Sequence, residues 1–188
     1  SSGPRATPEL LVDVDTPPRV KTAVKPNAYA IVIGIEKYRD LPSADFAVRD
    51  AEVMKNYLVK VLGYPEQNVI LRLNERAGRT DLEKYFGTWL KNNVQKDASV
   101  FIYYSGHGAP NHKTGDAYLV PFDGDPSFLK DTAYPLKALY AKLNELPTDQ
   151  IFVMLDSCFS GAGGRSVIAK GTRPMFVTAE NPLLASDK

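Results

Sequence analysis

Tyr29-Ala30-Ile31-Val32-Ile33-Gly34-Ile35 is an unbroken apolar run, rich in β-branched residues and carrying one glycine near its end. A strand with one face in water alternates apolar and polar residues, whereas a strand covered on both faces does not. The run therefore predicts a buried strand of a parallel sheet. Gln67 to Leu73, Ala98 to Tyr104 and Gln150 to Leu155 repeat its character. Helical patterns lie between them. Ala47, Ala51, Met54, Leu58 and Val61 recur at spacings of three and four, and Gly63 supplies a stop. Thr80-x-x-Glu83 reads as a capping box opening a second helix, with Leu82, Phe86, Trp89 and Leu90 on one side. A third helix is expected from Pro135 to Leu146, where Leu136, Leu139, Leu143 and Leu146 line up. Strands alternating with helices predict an α/β fold, a mainly parallel sheet with helices on both faces.

Size and charge fit one such domain. The chain has 188 residues, 44% hydrophobic and 24% charged, enough for one sizeable core. A net charge of +1 gives no global reason to expect nucleic acid or an acidic membrane surface as partner. No apolar run approaches the roughly 18 residues that span a bilayer, and no basic-then-apolar leader is present. Ser1 in place of an initiator methionine reads as a trimmed or processed terminus. Residues 1–27 hold Pro4, Pro8, Pro17, Pro18 and Pro26 and read as an arm or linker. Residues 28–168 are read as the domain, and 169–188 as a flexible linker. A single cysteine closes no internal disulfide and fits the cytoplasm.

Two loops carry the chemistry. Tyr104-Ser105-Gly106-His107-Gly108 follows the third predicted strand, and Asp156-Ser157-Cys158-Phe159-Ser160-Gly161 follows the fourth. Open α/β sheets bind at the carboxyl ends of their strands, where both loops fall. If the two strands are neighbours, about 4.8 Å apart, His107 and Cys158 emerge side by side. Asp50, early in the first helix, starts near the same edge. A cysteine attacks a carbonyl as its thiolate, and an imidazole holds the proton and returns it to the departing amine. Glycines beside His107 free the Gly108 amide to face a developing oxyanion, with the Cys158 amide as second donor. Gly161, Gly163 and Gly164 leave an open lip after the nucleophile.

The bland readings are a buried structural cysteine and a solvated histidine, which the paired spacing and the glycines oppose. A metal site from His107, His112 and Asp116 lacks a second strong ligand cluster. Nucleotide binding at Gly34 lacks any phosphate-binding glycine motif.

The strings around Tyr29–Ile35, Arg49-Asp50-Ala51, Tyr103–Gly108 and Leu155–Gly161 resemble the caspase-like cysteine peptidases, and among these the metacaspases and prokaryotic orthocaspases. The likeness runs from about residue 28 to about residue 162, with the motifs in order. It implies a caspase-hemoglobinase-like three-layer sandwich, His107 and Cys158 as catalytic dyad, and peptide hydrolysis through an acyl-enzyme. True caspases, which cut after aspartate, carry a glutamine two residues before the nucleophile and an arginine six residues before the helix aspartate. Here Asp156 and Ala44 stand at those places. A pocket edged by Asp50 and Asp156 repels an acidic side chain and pairs with a guanidinium or ammonium, so cleavage after Arg or Lys is expected.

Many metacaspases resemble one another in an aspartate cluster that binds calcium. Asp123, Asp125 and Asp131 are the candidates here, but Asp131 is followed by Thr132 and Arg165 stands after the cysteine, so neither calcium nor any other cofactor is expected. Asp123 and Asp125 read more simply as turn residues. The family's sheet has six strands, of which four are visible, and a four-stranded sheet ending at the nucleophile strand leaves a bare edge. The last strands are therefore expected from a separate C-terminal small subunit of the same precursor, with Lys188 as a processing site and a monomer as the default. The expected partner is a polypeptide substrate. The rival reading is an inactive relative serving as scaffold or binding module.

Overall fold

The computed structural model describes residues 15–18, 22–110, 115–157 and the backbone of 177–178. Strand β1 (Ala28–Gly34) is central, flanked by β2 (Val69–Leu73) and β3 (Ser99–Ser105), with β7 (Ile151–Asp156) beyond β3 and all four parallel. Their registers align Leu73, Gly34, Ser105 and Asp156 in one row at the carboxyl end of the sheet. The sequence predicts four strands and a bare edge. Instead, β8 (Val177–Thr178) pairs antiparallel with β7 at Leu155 and Met154, within the stretch read as linker. A two-residue strand leaves no periodicity to read.

The period of two along each strand divides the core into two layers. Ile31, Ile33, Ile102, Tyr104 and Leu155 face one side, where Leu82, Phe86, Leu90, Leu139 and Leu143 cover them. Ala30, Val32 and Tyr103 face the other, beneath Ala51 and Leu58 of helix α1 (Ala47–Lys60). Burying each such isoleucine or leucine contributes about 1.5–3 kcal/mol, so the alternation fixes the register. On the α1 side of β7, Phe152 and Met154 stay 65% and 47% exposed, next to Phe101 and Tyr103 in register.

The second predicted helix begins at α2 (Arg79–Glu83), runs through a π-helical stretch Lys84–Trp89 and ends in α3 (Leu90–Asn93). The expected capping box does not form. Gly78 occupies the N-cap position, and the carboxylate accepting the Arg79 N–H is that of Asp123 (2.8 Å), distant in sequence; Glu83 instead pairs with Arg79. The π turns rotate Tyr85 into the core beside Phe86 and leave Trp89 only partly buried. A second, antiparallel sheet was not legible: β4 (Gly108–Pro110), β5 (Ala117–Leu119) and β6 (Tyr134–Pro135). Pro135 thus belongs to β6, and the third predicted helix starts one residue later as α5 (Leu136–Asn144), after the short α4 (Leu129–Thr132). Glu66–Asn68 form a 3-10 turn, so β2 starts at Val69 rather than Gln67.

Candidate active site

His107 lies two residues beyond Ser105, and Cys158 lies two residues beyond Asp156. Ser105 and Asp156 are register partners, and the Gly106 N–H reaches the Asp156 carbonyl at 3.3 Å. The two loops therefore leave neighbouring strands at equal offsets. Cys158 itself lies outside the described residues, as do His112, Gly161, Gly163, Gly164, Arg165 and Lys188.

The histidine is held from four directions. It is 2% exposed. Its Nε2 is 2.7 Å from the Pro42 carbonyl oxygen, which can only accept, so the neutral ring carries its hydrogen on Nε2. That leaves Nδ1 as the basic nitrogen, buried and without a hydrogen-bond partner among the described residues. The Tyr38 ring lies against the imidazole, with centroids 4.6 Å apart and planes 36° apart. The Tyr38 hydroxyl oxygen accepts the His107 N–H at 2.7 Å. The fully buried Tyr104 hydroxyl lies 2.7 Å from the His107 carbonyl and 2.8 Å from that of Val120. Burial pushes the Tyr104 phenol well above its usual range.

Val120 N–H donates to the His107 carbonyl at 3.1 Å, and Gly108 is the register partner of Leu119. Gly108 is thus the non-hydrogen-bonded member of its pair, and its N–H points away from β5. Gly106 is needed because a Cβ there would lie 2.6 Å from the Tyr38 hydroxyl and 2.9 Å from that of Tyr104. An alanine would push aside both groups that hold the His107 peptide.

Asp156 ends β7, where its carboxylate accepts the Ser105 hydroxyl at 3.0 Å. The next residue, Ser157, is buried with its hydroxyl unpartnered among the described residues. Asp50 is half-buried in the first turn of α1. A Cβ on Gly34 would meet the Ala47 carbonyl oxygen at 2.4 Å and the Ala51 Cβ at 2.6 Å, so this end of α1 presses on the end of β1. Asp50 and Asp156 therefore share the carboxyl end of the sheet, on elements separated by β3.

Two of the aspartates considered for calcium already accept backbone hydrogen bonds. Asp123 caps α2, Asp125 accepts the Ser127 N–H at 2.8 Å, and Asp131 lies on α4. Among the described residues, no three His, Cys, Asp or Glu side chains converge as a metal site. Nor is any helix there long and apolar enough to cross a membrane.

Pro42, Tyr38 and Tyr104 were missed by the sequence reading. Pro42 acts through a backbone carbonyl, which no residue type signals. Tyr104 stood inside the quoted motif, and only its burial reveals its role.

Residues 27–182 match the family model of the caspase domain. Metacaspase-1 of Eremothecium gossypii is 23% identical over 150 residues, covering 72% of this chain and 32% of the relative. Metacaspase-1A of Aspergillus oryzae is 26% identical over 151 residues, covering 71% of this chain and 34% of the relative. The chain thus spans about a third of the length of the curated relatives it matches. A solved structure of a Geobacter sulfurreducens protein superposes with a TM-score of 0.56 at 22% identity, covering 73% of this chain and 52% of the other. That likeness is one of fold, and the fold is the caspase-like α/β sandwich expected from the motifs.

Proposed function

We propose, from the premise that this chain belongs to the caspase-domain family, that it is the catalytic portion of a cysteine endopeptidase cleaving after Arg or Lys. The observation that carries the reading is His107: buried, with its hydrogen fixed on Nε2 by Pro42 and its basic Nδ1 unpartnered among the described residues. In this reading Nδ1 takes the proton of the Cys158 thiol. The thiolate attacks the peptide carbonyl carbon, and the oxyanion accepts the N–H groups of Gly108 and Cys158. Collapse breaks the C–N bond, the imidazolium protonates the departing amine, and a thioester remains. Water then attacks the thioester, giving its proton to Nδ1, and the acid and free thiol are released.

Charge supports the specificity. Asp156 presents an acidic side chain of which the Ser105 hydroxyl engages one oxygen, and the fully buried Ala44 places no guanidinium there to hold an acidic residue. We further propose that catalysis needs no calcium, a reading supported by the backbone hydrogen bonds that Asp123 and Asp125 already accept. A C-terminal portion is proposed to complete the cleft beside the exposed Phe152 and Met154, with self-processing of the precursor. A lone cysteine supports a cytoplasmic setting.

The test is a panel of fluorogenic peptides with Arg, Lys, Asp or Asn before the scissile bond, with and without calcium, using full-length protein. Arginyl and lysyl peptides are expected to be cut by wild type and left intact by Cys158→Ala and His107→Ala. Equal or faster cutting of the aspartyl peptide refutes the specificity, and activity lost to a chelator and restored by calcium refutes the calcium reading. Absence of hydrolysis in every well favours the scaffold. Intact mass of wild type beside Cys158→Ala tests processing: equal lengths refute it.

A further inference from the structure

We infer that Phe46 is a specificity-determining contact, an aromatic platform at the rim of the cleft for a large apolar peptide side chain flanking the basic residue. The inference rests on the peptidase reading above.

Phe46 closes the loop 35–46, whose Tyr38 and Pro42 hold His107. Its backbone is left-handed, with φ 70° and ψ −3°, and its residue is 63% exposed. A Cβ makes that conformation unfavourable, and a bulky aromatic is an outlier there. Glycine or asparagine would adopt it more readily. The only other described non-glycine residue at positive φ is Asn74, at 45°. Asn74 has an evident reason: its side-chain carbonyl accepts the N–H groups of Glu36 and Lys37, each at 3.0 Å. The exposed Phe46 ring has no such compensation, since little of its apolar surface is removed from water.

The backbone leaves this ring little choice of position. The Ala44 N–H donates to the Glu36 carbonyl at 2.8 Å, and the Phe46 carbonyl accepts the Asp50 N–H at 2.9 Å as α1 begins. Ala47, the next residue, presses on Gly34 at the end of β1, and Asp50 follows one turn later. Phe46 therefore stands at the carboxyl end of the sheet and, in chain order, between the loop that supports the proposed general base and the carboxylate proposed to bind the basic residue. The other large exposed apolar side chains among the described residues lack this combination of strain and position: Phe152 and Met154 are on a sheet strand, Val24 and Leu62 lie by the far end of α1, and Phe128 precedes α4 at a negative φ of −130°. An outlier kept beside a reaction centre points to a ligand contact. A flat apolar surface there favours a large aliphatic or aromatic side chain and disfavours a charged one, which would lose water without gaining a partner.

The experiment uses full-length protein and a peptide library with Arg fixed before the scissile bond. The three residues before it and the two after it are varied through Leu, Phe, Ser, Asp and Lys. At one of these positions wild type is expected to prefer Leu or Phe over Ser by about tenfold, the size a single apolar contact supplies. Phe46→Gly is expected to reduce that preference to about twofold, through KM, with Arg-over-Asp selectivity intact and Tm unchanged or raised because the backbone strain is relieved. Phe46→Tyr is expected to keep the preference. Cleavage by Phe46→Gly with unaltered selectivity at every position overturns the inference and leaves the peptidase reading standing. A lowered Tm also overturns it, since the ring would then pack against another part of the chain. If wild type cuts no peptide at all, the peptidase reading fails and this inference falls with it.

Discussion

Replacing Tyr104 by Phe removes a single oxygen from the centre of the site and changes stability in two ways that pH separates. The hydroxyl is fully buried, with one hydrogen and two carbonyl acceptors, His107 at 2.7 Å and Val120 at 2.8 Å. Val120 depends on it, because the His107 N–H is already given to Tyr38. Leaving a buried acceptor short of a donor costs about 1–3 kcal/mol, so Tyr104→Phe is expected to lower stability by about 2 kcal/mol at pH 8. The second change appears in alkali. Burial raises the folded-state pKa of Tyr104 well above the usual 10.0. Below pH 10 the tyrosine is protonated in both states, so its full contribution is present. Above pH 10 the unfolded chain releases the proton while the folded protein keeps it, and wild type loses stability as pH rises toward the folded pKa.

The loss between pH 9 and pH 11 from this group alone is at most about 1.4 kcal/mol, the limit set by the unfolded chain's titration. Phenylalanine has no such titration. Tyr134, pushed up to about 12 chiefly by burial, titrates in both proteins and cancels. The gap between wild type and variant should therefore shrink from about 2 kcal/mol at pH 8 as the pH is raised to 11. Urea denaturation at pH 8, 9 and 11 measures it. A gap that stays constant or widens with pH refutes the burial argument, and a gap under about 0.5 kcal/mol at pH 8 refutes the hydrogen-bond argument.

Two further substitutions test how the loops are held. Asn74→Ala removes the acceptor of the Glu36 and Lys37 N–H groups, and should cost about 1–2 kcal/mol in denaturant melts. Because loop 35–46 carries Tyr38 and Pro42, peptide hydrolysis should fall as well; full activity would show that His107 does not depend on that loop. Gly34→Ala places a Cβ 2.4 Å from the Ala47 carbonyl oxygen, and should lower stability by about 1–3 kcal/mol as α1 moves off β1. An unchanged Tm would show that α1 has room the packing denies it.

The parts of the fold legible in the sequence are those with a period to read. The buried strands declare themselves as apolar runs, and their common row at Gly34, Ser105 and Asp156 follows from parallel pairing. The glycines around His107 signal a close approach, which the Tyr38 and Tyr104 hydroxyls over Gly106 explain. The capping box failed because local spacing competes with partners that sequence does not bring near: the Asp123 carboxylate arrives from 44 residues away and caps the helix at the Arg79 N–H, which starts the helix before Thr80 and places Thr80 inside its first turn. Tyr38 lies 69 residues before His107, and Pro42 lies 65 before it. Neither separation has a periodic signature, and the β4–β5–β6 sheet is built from strands of three, three and two residues.

These long-range contacts divide the work of the site unequally. Pro42, Tyr38, Tyr104 and Val120 all hold His107, and all lie within the described residues. The proposed general base is thus preorganised by this chain's own loops, with its tautomer set by a backbone carbonyl rather than by an ionisable group. A carboxylate in that place would hold the imidazolium more strongly, whereas a carbonyl orients the ring without adding a charge. Beside it, β7 pairs with β8 at Met154 and Leu155 among the described residues, and Phe152 remains exposed. The base is secured from within, while the neighbouring sheet face is open to further packing. The loop 35–46 joins these concerns, because it fixes the histidine at one end and carries Phe46 to the rim at the other. A change that tilts this loop must alter the proposed base and the proposed peptide contact together, so in the peptidase reading catalysis and selectivity are coupled through a segment that contains neither His107 nor Cys158.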